Sequence, residues 1–196
     1  MKKVILASAS ERRSRILSES GILHEVSPSG AREDMVEAGE VPGIVQGNAV
    51  RKARKVAEKE KNAVVIGADT LVAHGKDILG KPDNEEAARM MLKRFSGSGV
   101  DVYTGLCVID RPGGKEASGY EKSSLAVVPL DDKEVEKYFR LLGPYDKAGG
   151  FSIEGVGAFL FDDIRGSYFN ILGLPMRRLA GLFNELGLDI LDFVSL

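Results

Sequence analysis

Apolar residues near the start of the chain form short continuous runs that are separated by segments with helical spacing. Val4 to Ala7 is an apolar run typical of a buried strand. Ser10 suits the N-cap of a helix over residues 11–20, which we expect to end at Gly21. The pattern then predicts a second strand over 24–29 and a second helix over 42–61.

The strongest strand signal lies further along the chain. Ala63 to Ala68 is nearly all apolar, which is typical of a central strand covered on both faces. We expect Asp69 and Thr70 to stand at its end. Open α/β sheets place ligand-binding residues at such strand ends.

The rest of the chain continues to alternate between helical and strand-like patterns. We predict a helix from an Asp83 cap to Phe95 with Met90 inside, and two strands over 100–110 and 120–129. A helix capped by Asp131, a strand over 158–161 and a last helix from about Pro175 to Gly187 complete the pattern. The alternation predicts an α/β fold, a mixed twisted sheet flanked by helices, in a single domain over 1–196.

Composition narrows the classes of partner. The 196 residues are 43% hydrophobic, and 27 basic against 29 acidic residues leave a net charge of −2. A protein that grips nucleic acid usually carries a basic excess, so we expect no nucleic-acid partner. The alternative is nucleic-acid binding through the basic stretch over 51–55. It predicts an affinity for oligonucleotides that depends strongly on salt concentration.

Other residues bear on location and on metal sites. The single cysteine, Cys107, fits a reducing compartment, and two separated histidines give little support for zinc. No apolar segment approaches the ~20 residues of a membrane span. The apolar run that follows Met1 is too short for a signal peptide. We therefore expect a cytoplasmic protein without a membrane partner.

One local motif imitates a phosphate-binding P-loop. Residues 75–81 have its glycine and lysine spacing. Pro82, however, stands where that motif needs a hydroxyl for magnesium, and the bulky Ile78 and Leu79 lie where the loop must wrap closely. We interpret the match as chance.

Cations at the start of the first helix are more informative. Arg12, Arg13 and Arg15 occupy its first turns, where the helix dipole disfavours positive charge. Their position suggests that an anion joins them. Taken singly, however, each of these residues favours a structural interpretation. Asp69 fits a turn cap, Lys52 fits a surface lysine, and Arg12 and Arg13 fit a solvated helix face.

The combination of segments resembles the Maf family. Seven motifs occur in that family's order and spacing, from the first strand to the last helix: 8–13, 49–53, 67–70, 79–82, 146–149, 153–155 and 173–175. The resemblance implies an elongated α/β structure of the Maf/ITPase-like type, with a cleft between two lobes. Because the family is often dimeric, it also implies a homodimer.

The same resemblance implies an activity. Maf proteins hydrolyse nucleoside triphosphates to the monophosphate and pyrophosphate with a divalent metal ion, which we expect to be Mg²⁺ with Mn²⁺ as the alternative. The chemistry is consistent with the clustered cations, because phosphoryl transfer depends on positive charge aimed at the phosphates.

Roles follow from the family motifs, position by position. The resemblance implies that Arg13, Lys52 and Lys81 grip the phosphates, with help from Ser8. Asp69 matches the family's catalytic acid, which would act as general base and metal ligand. Glu33 would share the magnesium, although Arg32 stands where many members carry an acid. Asp146 and Lys147 lie in another motif, where a structural salt bridge fits as well as a catalytic part.

Three positions bear on the base. Arg12 and Thr70 match the branch that acts on dTTP and UTP, but Glu154 replaces that branch's glutamine. The branch that acts on 7-methyl-GTP carries glutamate there. Two matches against one favour dTTP and UTP, and a 7-methyl-GTP pyrophosphatase is the alternative. A nucleotide-binding regulator of cell division with little turnover is the alternative from another class.

Overall fold

A computed structural model describes residues 2–33, 40–111, 113–142 and 152–195. Asp146 and Lys147 lie outside these ranges, so their predicted roles remain predictions. Within the described ranges, seven strands form one mixed sheet in the order β2-β1-β3-β5-β6-β7, with β4 paired to β3. The strands are β1 Lys3–Leu6, β2 His24–Val26, β3 Ala63–His74, β4 Asp77–Leu79, β5 Gly99–Asp110, β6 Lys115–Val127 and β7 Phe161–Arg165.

Helices accompany these strands along the chain. They are α1 Glu11–Glu19, α2 Val41–Ala57, α3 Glu85–Phe95, α4 Asp132–Leu142, α5 Tyr168–Ile171 and α6 Met176–Glu185. Two 3₁₀ helices span Gly155–Leu160 and Ile190–Phe193. Strand β1 is parallel to both β2 and β3, whereas β4 and β7 run antiparallel to β3 and β6. The predicted α/β class with a mixed sheet and flanking helices is confirmed.

The chain divides into two compact units. The first contains Met1–Asp69, Thr104–Glu121 and Leu172–Leu196, and the second contains Thr70–Tyr103 and Lys122–Ile171. Strands β3, β5 and β6 contribute residues to both units. Two units agree with the two lobes that the family resemblance implied.

The core of the first unit lies between the sheet and α2. Residues Ala63 to Asp69 of β3 are all buried, which confirms that the apolar run is a central strand. One face of this region packs on the apolar face of α2 in a cluster of Ile5, Ala7, Ala49, Ala53, Val56, Ala57, Ala63, Val65, Cys107 and Ile109. Small residues dominate this cluster, so helix and sheet approach each other closely.

Two glycines make that approach possible. A Cβ atom added to Gly67 would lie 2.2 Å from the carbonyl oxygen of Ala49. One added to Gly105 would lie 2.2 Å from the carbonyl carbon of Val45. Any side chain at either position would therefore push α2 off the sheet. The two glycines therefore set the distance between α2 and the sheet. This distance in turn sets the position of the side chains that extend from α2 toward β3.

The start of α1 follows the predicted cap. The Ser10 hydroxyl accepts a hydrogen bond from the backbone N–H of Arg13 at 3.4 Å, and Ile16 and Leu17 are buried. The helix ends near Gly21, whose φ of 74° suits a glycine. Hydroxyl capping and apolar spacing are local signals, which explains why they were sufficient here.

The second unit corrects several details of the prediction. Helix α3 is capped by Asn84, whose side-chain oxygen accepts from the N–H of Ala87 at 2.9 Å, and not by Asp83. Both residue types cap well, so adjacent candidates compete. Met90 is exposed rather than inside, because the buried stripe runs through Ala88, Leu92 and Phe95.

Helix α4 shows the expected cap in reciprocal form. The Asp131 carboxylate accepts from the N–H of Glu134 at 2.8 Å, and the Glu134 carboxylate accepts from the N–H of Asp131 at 2.9 Å. This is a capping box.

The segment over 158–161 was predicted as a strand, and this was wrong. Residues Gly155–Leu160 form a 3₁₀ helix, and β7 begins at Phe161. The strand over 120–129 begins earlier, at Lys115. The rejection of the P-loop is confirmed, because Ile78 and Leu79 lie in β4 and pair with Ala73 and Val72. In the described ranges, no helix has the length and apolar character needed to cross a membrane.

Candidate active site

Asp69 lies within β3, which continues to His74, and not at the strand's end as predicted. The neighbouring parallel strand β1 stops at Leu6, which pairs with Ile66. Asp69 therefore stands just beyond the end of β1 although its own strand continues. Its side chain is buried, with the residue only 4% exposed. A charge at this depth requires partners.

Helix α2 supplies those partners to both carboxylate oxygens. The Lys52 ammonium donates to Oδ1 of Asp69 at 2.7 Å. The Asn48 amide donates to Oδ2 of Asp69, also at 2.7 Å. Asn48 and Lys52 are four residues apart and so share one face of the helix. Two donors from one rigid element fix the plane of the carboxylate.

Arg51 extends this network outward. Its guanidinium Nη2 donates to the side-chain oxygen of Asn48. Asn48 is 1% exposed, whereas Arg51 lies on the exposed part of the helix. A line of hydrogen bonds therefore runs from the surface through Asn48 to Asp69.

Arg13 is the second buried cation of this unit. Its Nη1 donates to the Ser8 hydroxyl at 2.9 Å and to the carbonyl oxygen of Ala68 at 3.1 Å. Its Nε donates to the carbonyl oxygen of Gly173 at 2.8 Å. These three acceptors hold the guanidinium in place.

The electrostatics of Arg13 reflect this burial. Removal from water lowers the pKa of the guanidinium, while the negative charges of Asp69 and Glu33 act in the opposite direction. A guanidinium stays protonated at neutral pH even so.

Glu33 joins the cluster through Lys52. Its Oε1 lies 2.7 Å from the Lys52 ammonium, which also lies 2.7 Å from Oδ1 of Asp69. Two carboxylates thus converge on one positive charge. The Glu33 side chain is 53% exposed and that of Asp69 is 6% exposed. The pair presents hard oxygen ligands at the border between protein and solvent.

The donor set of these two carboxylates fits magnesium. Mg²⁺ is usually held by one or two carboxylates, with waters and substrate phosphates completing its octahedron. Among the described residues, no three or more His, Cys, Asp or Glu side chains group as metal ligands. Glu33 and Asp69 supply two carboxylates of this kind.

The structure brings together five of the predicted site residues in the first unit, namely Ser8, Arg13, Glu33, Lys52 and Asp69. Arg12 lies in the same unit on α1 and is half-buried. Thr70 follows Asp69 in β3, Lys81 is exposed after β4, and Glu154 precedes the first 3₁₀ helix. These three residues belong to the second unit, and their roles remain predictions.

Sequence reasoning missed Asn48. Its signal was nevertheless present, because it is a polar residue on the buried stripe of α2 with Ile44, Val45, Ala49 and Lys52. An amide on such a face needs a buried partner. Lys52, one turn further on, points to Asp69 as that partner.

Two buried cations, Arg13 and Lys52, thus lie beside the carboxylates of Asp69 and Glu33 in the first unit of a mixed α/β sheet. Residues 3–186 match the family model described as Maf-like protein. The chain belongs to the Maf-like protein family.

Three relatives illustrate this membership, and each is named dTTP/UTP pyrophosphatase. The one from Caldicellulosiruptor bescii is 40% identical over 195 residues, covering 97% of this chain and 98% of the relative. The one from Dictyoglomus thermophilum is 39% identical over 191 residues, covering 97% and 99%. The one from Bacillus cereus G9842 is 36% identical over 190 residues, covering 97% and 98%.

A solved structure of the Staphylococcus aureus Ham1 protein is also similar to this chain. It has a TM-score of 0.47 and 13% identity, and the match covers 94% of this chain and 96% of that one.

Proposed function

We propose that this protein hydrolyses dTTP and UTP to the monophosphate and pyrophosphate. The observation that carries the proposal is the similarity along nearly the whole chain to relatives named dTTP/UTP pyrophosphatase. The contacts around Asp69 support it independently. They combine an acid, cations and metal-type ligands, which are the parts that phosphoanhydride hydrolysis requires.

Each part has a distinct task in this proposal. Arg13 and Lys52 attract the triphosphate and stabilise the charge that develops on its oxygens. Asp69 accepts the proton of the attacking water as general base. Lys52 and Asn48 donate to the two oxygens of Asp69 at 2.7 Å each, and these bonds hold the carboxylate in place.

Magnesium is the metal that we propose, with Mn²⁺ as its alternative. Glu33 and Asp69 would hold it through carboxylate oxygens. When bound, the ion neutralises phosphate charge and polarises the bond that breaks. Lys52 contacts both carboxylates, so it keeps two neighbouring negative charges compensated when no metal is bound.

Selectivity for the base would rest on Arg12, Thr70 and Glu154, and Lys81 would add a further phosphate contact. The Glu154 carboxylate accepts hydrogen bonds, so it could receive the N3–H of thymine or uracil. The same carboxylate would also attract the positive charge of 7-methylguanine. The presence of glutamate at position 154 is the observation that favours 7-methyl-GTP as a second candidate substrate.

The setting of the enzyme is part of the proposal. We place it in the cytoplasm, in agreement with one buried cysteine, which is free. Its partner is the nucleoside triphosphate rather than nucleic acid or membrane, and a homodimer is the assembly that the family resemblance favours.

The test is pyrophosphate release with magnesium from dTTP, UTP, CTP, GTP and 7-methyl-GTP. We expect turnover of dTTP and UTP, and a loss of about 10²- to 10⁴-fold in Asp69→Asn, which keeps the shape of the side chain and removes the base. Glu154→Gln is expected to keep the pyrimidine preference and to lower any cleavage of 7-methyl-GTP. A preference for 7-methyl-GTP in the natural protein would replace the proposed substrate. Tight binding without cleavage of any triphosphate would favour the regulator.

A further inference from the structure

We infer that Asn48 is a positioning residue, which holds the Asp69 carboxylate in its working orientation and is itself locked by Arg51. The catalytic consequence rests on the proposed function, in which Asp69 is the base. The geometric part of the inference, that Asn48 fixes the orientation of the Asp69 carboxylate, does not depend on the proposed function. Neither residue has a role among those that the family resemblance implies.

The amide of Asn48 can take only one orientation in this network. Arg51 offers hydrogen-bond donors and no acceptor, and an ionised Asp69 offers acceptors and no donor. The side chain between them must therefore present its oxygen to Arg51 and its nitrogen to Asp69, as observed. A residue with two identical ends could not satisfy both neighbours. Asparagine is the residue of this size that can.

Burial shows that Asn48 acts through Asp69 and not on a substrate directly. It is 1% exposed, which leaves a nucleotide no surface to touch. Its donor nitrogen lies 2.7 Å from Oδ2, and Lys52 takes Oδ1. Without Asn48, only one oxygen would be held, and the carboxylate could rotate about its Cβ–Cγ bond. Asn48 thus supplies the second of two fixed points.

The first test is structural and does not depend on turnover. Crystal structures of the natural protein and of Asn48→Leu would be compared at Asp69. Leucine has a similar volume and no donor, so we expect the carboxylate plane to rotate away from its natural orientation. An unchanged plane with full order would overturn the inference, whatever the substrate proves to be.

The second test is kinetic. In Asn48→Leu we expect kcat with dTTP and magnesium to fall about 10- to 100-fold, as for residues that orient a reacting group. KM should stay within about threefold, because the phosphate-binding cations are intact. Asn48→Asp should be at least as slow, since it presents an acceptor where a donor is needed. A rise in KM with unchanged kcat would contradict a positioning role.

A double-substitution cycle tests the lock by Arg51, which is exposed and can be replaced with little risk to folding. Arg51→Met should lower kcat in the natural background, and Arg51→Lys should restore part of the loss. In the Asn48→Leu background, Arg51→Met should change nothing further, because its effect passes through Asn48. Effects that multiply would show that Arg51 acts independently, and they would overturn the lock.

Matched controls lie on the same helix. Gln46→Leu removes an amide that donates to Ser118, and Arg54→Met removes an arginine that pairs with Glu116. Both should retain natural kcat. If the natural protein releases no pyrophosphate, the proposed function fails while the crystallographic test still decides the orientation. If it turns over and Asn48→Leu matches it, the proposed function stands and this inference fails.

Discussion

Arg13 and Lys52 donate hydrogen bonds to the same backbone oxygen, that of Ala68, at 3.1 and 3.4 Å. Two positive charges are therefore held close together in a buried environment. Like charges at this separation repel, and burial weakens the screening by water. The chain tolerates the arrangement because the carboxylates of Asp69 and Glu33 lie beside the two cations. In the proposed function a polyanion, the triphosphate, binds to the same two cations.

The first prediction concerns that anion. Inorganic pyrophosphate, without metal, should raise the thermal unfolding midpoint, because it binds the folded state only. At 100 times its Kd the gain is about 2.7 kcal/mol, which corresponds to several degrees for a chain of this size. Lys52→Met should lose most of this shift. Arg15→Met should keep it, because Arg15 is exposed and pairs with Glu19. An equal shift in both variants would place the anion elsewhere.

The second prediction concerns the metal. EDTA should abolish pyrophosphate release, and excess magnesium should restore it. In Glu33→Gln one hard ligand loses its charge, so we expect the magnesium concentration for half-maximal rate to rise about tenfold. This corresponds to a loss of ~1.4 kcal/mol in the free energy of metal binding. Glu40→Gln is the control, since that residue is exposed and its side chain makes no helix-cap hydrogen bond. The same magnesium requirement in Glu33→Gln and the natural protein would remove Glu33 from the metal site.

The third prediction concerns the close packing of α2 against the sheet. Gly67→Ala would place a methyl group 2.2 Å from the Ala49 carbonyl oxygen, so the helix must shift. Overpacking of this kind costs about 1–3 kcal/mol and sometimes more, measurable by urea unfolding. Gly43→Ala, on α2 itself, meets nothing within 4 Å and should be neutral or slightly stabilising. Equal free energies of unfolding for the two variants would contradict the close contact.

The fourth prediction concerns Cys107. Burial raises the pKa of its thiol from the ordinary 9.0 to about 12. Only the thiolate reacts with iodoacetamide. The folded protein should therefore label very slowly, and the rate should rise little between pH 7 and 9, where an exposed cysteine would ionise. Unfolding in urea should release full reactivity. Rapid labelling of the folded protein at pH 8 would show that the thiol is accessible and ionised.

The sequence predicted those parts of the fold that local patterns control. The Ser10 cap, the buried stripe of α2 and the central strand at Ala63 all depend on neighbouring residues, and all were found. The extent of β3 was not, because a charged residue usually marks a strand's end. Asp69 stays inside the strand since Lys52 and Asn48, 17 and 21 residues away in sequence, reach it from α2.

The residues of the candidate site likewise fall into those that the sequence predicted and those that only the structure shows. Ser8, Arg13, Lys52 and Asp69 could be predicted because a family resemblance places them in motifs. The role of Asn48 is visible only once the helix and strand are packed together. Choices between near-equal local signals, such as Asp83 against Asn84 as the cap of α3, were settled by backbone geometry that single residues do not encode. The implied cleft and dimer stay predictions.

Holding both oxygens of Asp69 from one helix makes the site sensitive to chain length as well as to residue type. Each residue added to a helix rotates everything beyond it by about 100°. A single insertion between Asn48 and Lys52 would therefore turn one donor away while the other stays. An insertion ahead of Glu40 would leave both in phase. Length variation in this protein should be tolerated before α2 and rejected within it.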